Sequence, residues 1–120
     1  ADAEQASKAY DRAMKWYEGG ELMRAAEGFT EAINLQPTNP GYYTARANAL
    51  LKAMRFDDAL EDADRAVRLQ PGFAKGLVVK GQALALLGRL DLAVETMEEA
   101  LRASPEDGEL KEALGQVRAI

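Results

Sequence analysis

The chain has 120 residues, with 15 Lys plus Arg against 20 Asp plus Glu, a formal charge of −5 and neither cysteine nor histidine. Those absences exclude disulfides, thiolate metal sites, cysteine nucleophiles and any Ser-His-Asp arrangement, and the acidic balance disfavours nucleic acid, which calls for a net basic face. A hydrophobic share of 48% belongs to a globular chain rather than a disordered one.

Compared with itself at an offset of 34, the chain falls into columns. Pro37, Pro71 and Pro105 align, as do Ala25, Ala59 and Ala93, and again Ala32, Ala66 and Ala100. Small residues recur at Ala13, Ala47 and Gly81, and bulky ones at Trp16, Leu50 and Leu84. Ala and Leu far outnumber Val and Ile, so each unit is expected to be helical.

In chain order, the first unit (6–39) reads as two helices joined near Gly20. The second (40–73) opens with Asn39 as cap and Pro40 in the first turn, where a missing N–H costs nothing. After a short break its second helix places Phe56, Leu60, Ala63 and Val67 on one face. Asp57, Asp58, Glu61 and Asp62 crowd the start of that helix, where its dipole favours them, and Pro71 stops it. Met54 stands where the other units have Gly20 and Gly88, so this turn is expected to need no positive φ. The third unit (74–107) leads into a seventh helix at about 105–119, with Ser104 as its cap. Its apolar stripe of Leu110, Leu114 and Val117 would cover the open end of the stack.

These columns resemble three tetratricopeptide repeats followed by a capping helix, from Ala6 to the C-terminus. The resemblance implies an all-α, right-handed superhelical solenoid whose first helices line a concave groove for a peptide or partner helix. The family's frequent aromatic residue early in the first helix is Tyr43, while Ala9 and Leu77 depart from the pattern. Segments such as FTEAINLQPTNPGYYTARANAL and ELKEALGQV, with Arg12, Arg46 and Lys80, further resemble the modules of heat-shock co-chaperones. That subfamily grips an acidic chaperone tail through two Lys, two Asn and one Arg, which bind its terminal carboxylate with charge-assisted bonds. Those positions carry Tyr10, Met14, Ala45, Lys75 and Val79 here, so the carboxylate clamp is expected to be absent.

The inferred groove positions are Tyr10, Met14, Tyr17, Thr44, Ala45, Asn48, Leu51, Lys75, Val78, Val79 and Gln82. They form a mostly apolar, aromatic-edged surface, which suits a hydrophobic or amphipathic segment better than an anionic tail.

Other patterns carry no chemistry. Gly76 to Gly81 has glycines and a lysine but no preceding strand, so it is no phosphate loop. The acids from Asp57 to Asp64 lack the spacing and turn glycine of a calcium loop. Glu95, Glu98 and Glu99 have no pocket to pair in, and Ser7 and Ser104 have no base. No enzyme activity, cofactor or metal is expected. The longest apolar charge-free stretch, 81–88, is far short of a membrane span. The polar start at Ala1 reads as that of a soluble, cytoplasmic fragment.

The function expected is therefore that of a co-chaperone-like adaptor, holding a chaperone or another protein by an apolar or amphipathic segment, without nucleic acid or membrane. Self-association as a structural scaffold is the alternative from a different class. A selected or engineered domain would show the same pattern, with scaffold columns kept and clamp positions replaced.

Overall fold

A computed structural model describes all 120 residues, from Ala1 to Ile120. Seven helices follow one another without a strand: α1 (Asp2–Glu18), α2 (Leu22–Leu35), α3 (Pro40–Lys52), α4 (Phe56–Leu69), α5 (Ala74–Leu86), α6 (Leu90–Ala103) and α7 (Gly108–Arg118). Each odd-numbered helix up to α5 packs on its successor, and the three hairpins stack into a body of 44 × 25 × 22 Å.

Local chemistry sets the helix boundaries. Asn39 accepts the Gly41 N–H at 2.9 Å and Pro40 occupies the first turn of α3. All three hairpin turns close alike. The backbone N–H groups of Glu21, Arg55 and Arg89 donate to the carbonyls of Trp16, Leu50 and Leu84 at 2.8–2.9 Å. This six-to-one closure drives the residue before the donor into the left-handed region. Gly20 and Gly88 sit there at φ of 83° and 81°, and Met54 is held there at 65°. The expectation that Met54 escapes positive φ is thus wrong, because hydrogen-bond closure sets the turn geometry and the side chain must comply.

The seventh helix also begins later than its sequence suggests. The Ser104 N–H donates to Ala100 at 3.0 Å, so Ser104 closes α6 instead of capping α7. Asp107 takes the cap, accepting the Leu110 N–H at 3.0 Å, and α7 starts at Gly108. Its Leu110, Leu114 and Val117 are buried against α5 and α6.

Small residues bring the hairpin helices close together. Ala13, Ala25, Ala47, Ala59 and Ala93 have no exposed surface. The close approach is shared differently in each unit. In the first, a Cβ on Gly28 would lie 2.7 Å from the Ala13 Cβ. In the third, a Cβ on Gly81 would lie 2.7 Å from Cγ of the buried Met97. Small and large residues trade places across the seam while the helices stay in contact.

The column Arg12, Arg46 and Lys80 forms polar joints on the side of the second helices. Arg46 donates from Nε and Nη2 to the two Asp62 carboxylate oxygens at 2.7 Å, and from Nη1 to the Thr30 hydroxyl at 3.0 Å. Its guanidinium therefore ties α2, α3 and α4 together, and Asp62 is almost fully buried. The hydrogen bond to Asp62, against the cost of burial, raises the Arg46 pKa further. Lys80 makes the corresponding joint with Asp64 at 3.1 Å, and Arg12 reaches Glu31 at 3.4 Å on the surface.

Candidate functional site

The first helices of successive hairpins leave a cleft between α1, α3 and the start of α5. Its volume is about 220 Å³ and its walls are Tyr10, Met14, Tyr17, Phe29, Gly41, Thr44, Ala45, Asn48, Phe73 and Lys75. Seven of the residues singled out from the sequence therefore meet here: Tyr10, Met14, Tyr17, Thr44, Ala45, Asn48 and Lys75. Four others do not line it. Leu51 packs against the core of the first two units, and Val78 against that of the third. Val79 is only 3% exposed, packed with Ala47 and Ala63, and Gln82 is half-buried away from the cleft.

The physical reason for Val79 is its column. Its counterparts Asp11 and Ala45 are exposed and half-exposed, but Val79 packs onto the small Ala47 and Ala63 of the preceding hairpin and is buried in that seam. Two aromatic walls escaped sequence reasoning. Phe29 comes from a second helix, whereas only first helices were expected to contribute. Phe73 precedes α5, in the column of the caps Asn39 and Asp107. The signal for both was present: each is the one aromatic residue in its column, facing Ala63 and Met97, or Asn39 and Asp107.

Tyr10 is the keystone of the cleft. Its ring centroid lies 5.6 Å from that of Phe29 and 5.5 Å from that of Tyr42, both tilted. Burial, then the negative charge of Asp11, then Tyr42 push its phenol above the usual range, so it stays neutral as a donor. The Thr44 hydroxyl is occupied with the Pro40 carbonyl at 3.0 Å, which leaves its methyl as the usable surface. Asn48 makes no hydrogen bond within the chain, and neither does the ammonium of Lys75. At the far end, the Lys52 ammonium stands 4.8 Å over the Tyr17 ring. The surface can therefore hold apolar matter and offers amide and ammonium donors at its edges. It presents no nucleophile or base, and no His, Cys, Asp and Glu cluster capable of holding a metal occurs in the structure.

A larger cavity of about 320 Å³ lies between α2, α3 and α4, but its central polar groups, Thr30, Arg46 and Asp62, are bonded to one another. It is a joint between hairpins. No helix is long and apolar enough to cross a membrane.

Comparison with known proteins agrees with this architecture. The family model described as tetratricopeptide repeat matches residues 44–117. No curated protein matches the chain by sequence. Among solved structures, the first TPR of Spaghetti (RPAP3) bound to the HSP90 peptide SRMEEVD is 25% identical with a TM-score of 0.94, over 99% of this chain and 94% of that one. The second TPR domain of human RPAP3, in complex with the HSP70 peptide SGPTIEEVD, is 26% identical over 98% of both chains, with a TM-score of 0.92. The TPR2B domain of yeast Sti1 in a pHsp70 complex is 25% identical over 95% of this chain and 93% of that one, with a TM-score of 0.88.

Proposed function

Because the chain belongs to the tetratricopeptide repeat family, whose members are protein-interaction modules rather than enzymes, we propose that it is an adaptor holding a peptide segment of a partner protein in the α1–α3–α5 cleft, by apolar contact and without a carboxylate clamp. The observation that carries this reading is the cleft lining: Tyr10, Met14, Tyr17, Phe29 and Phe73 converge on one concavity. The peptide complexes of Spaghetti, human RPAP3 and yeast Sti1 support a peptide or chaperone as the class of partner. The five clamp positions support the loss of terminal-carboxylate recognition. Met14, Ala45 and Val79 offer an anion no donor, Tyr10 offers only a neutral hydroxyl, and Lys75 alone supplies a point charge.

Calorimetric titration tests both halves of the proposal. SRMEEVD as free acid and as C-terminal amide should bind equally weakly, while peptides bearing a central Leu or Phe bind measurably. Met14→Glu, which places a charge in the apolar wall, should weaken the apolar peptides by at least about tenfold. A free acid that binds more than about tenfold tighter than its amide would show a working clamp and overturn the reading.

A further inference from the structure

We infer that the cleft takes an internal, extended segment in which one large apolar side chain is flanked by two acidic residues about five positions apart. This rests on the cleft being the ligand site and goes on to name the chemistry of its occupant. The helices α3 and α5 contain four basic residues and no acidic one. Two are consumed by the fold, Arg46 with Asp62 and Lys80 with Asp64. The other two, Lys52 and Lys75, are exposed and have no carboxylate partner. They stand at opposite ends of the cleft: Lys75 lines one end, and Lys52 covers Tyr17 at the other.

The separation of these cations sets the spacing. Lys75 is level with Gly41 by its column, and from Gly41 to Lys52 the helix advances about 16 Å at ~1.5 Å per residue. An extended chain covers that distance in about five residues. Between the two ends, a volume of about 220 Å³ has room for one large side chain rather than the multi-anchor stripe of a helix. Asn48 lines the same space with a free carboxamide, a donor and acceptor pair matched to a main-chain peptide group. Across the cleft the α1 wall of Tyr10, Met14 and Tyr17 carries no cation, and next to Tyr10 and Tyr17 in sequence stand Asp11, whose charge reaches Tyr10, and Glu18. An acidic flank therefore settles toward α3 and α5. With four of the five clamp positions changed to Tyr10, Met14, Ala45 and Val79, the segment runs through the cleft rather than ending in it.

Fluorescence anisotropy decides the matter. The probe is a labelled nine-residue peptide, blocked at both ends, with Leu at its centre, two Glu five positions apart, and Ser or Gly elsewhere. Replacing either Glu by Gln should weaken binding about two- to fivefold, an effect that fades at high salt. Lys52→Glu and Lys75→Glu should each weaken it by about tenfold, and Asp11→Asn should tighten it slightly. A peptide with Lys in place of both Glu should recover binding on the doubly reversed protein. If the Gln peptides bind as tightly as the Glu peptide, the acidic flanks are refuted while the apolar cleft stands. If no Leu- or Phe-centred peptide binds at all, the cleft reading falls and this inference with it.

Discussion

The trade of volumes between Gly81 and Met97 makes Gly81→Ala the sharpest probe of the hairpin seam. By helix propensity alone the change should help, because alanine in a helix interior is better than glycine by about 0.8–1.0 kcal/mol. Packing opposes it. The new Cβ would lie 2.7 Å from Met97 Cγ and 3.1 Å from Cε, and Met97 is only 1% exposed. Cγ is close to the backbone, so the whole side chain must move within a filled core, at about 1–3 kcal/mol. Overpacking wins, and the variant should be less stable by about 1 kcal/mol. The second unit shows the cure, since the same two columns hold Ala47 and Ala63 there. In a Met97→Ala background, itself destabilised by about 2–5 kcal/mol, Gly81→Ala meets no clash. It should then stabilise by about 1 kcal/mol, so the pair is coupled by about 2 kcal/mol. Urea unfolding of the four proteins measures this, with unchanged slopes as the control. Equal stabilisation by Gly81→Ala in both backgrounds would refute the reasoning, because it would mean that Met97 yields without cost.

Two further outcomes follow from the turns and the joints. Met54→Gly should raise stability by about 0.5–1 kcal/mol, the relief of a left-handed residue less the entropy of glycine, since the 74% exposed side chain has little packing to lose; a lowered thermal midpoint would contradict it. Asp62→Ala should cost about 2–4 kcal/mol by leaving the Arg46 guanidinium half-buried and unpaired, and Arg46→Met in the same protein should restore most of that. A raised guanidinium pKa stabilises the fold at every pH below its titration and is lost only above it, so this penalty should be flat through the neutral and mildly alkaline range. A penalty that fades within that range would assign the effect to another group.

Most of the fold was legible because its repeat is arithmetic: Ala25, Ala59 and Ala93 align at one spacing, and each is fully buried. What escaped was whatever one unit does differently. Met54 adopts a glycine's conformation because its hairpin closes through the same hydrogen bond as its neighbours. Ser104 resembles a cap, yet its own N–H is spent on α6 and Asp107 does the capping. Seven of the cleft residues could be placed by extending the first-helix faces, and the column rule failed at Val79, which packs into the seam with Ala47 and Ala63. Phe29 and Phe73 escaped because they enter the cleft from a second helix and from a loop.

The joints between hairpins are unequal, and that has a mechanical meaning. The first is riveted by Arg46, whose bonds span α2, α3 and α4; the second has only the half-exposed contact of Lys80 with Asp64. In a stack where each unit leans only on its neighbours, the first seam has a directional bond to fix its angle, while the second relies on the packing of Val79 against Ala47 and Ala63. The first two hairpins, which supply nearly all of the cleft, are thus held at a set angle by a bonded guanidinium as well as by packing. The floor of the cleft is thereby fixed in orientation, and its Lys75 edge is joined to it by apolar packing and a single ion pair.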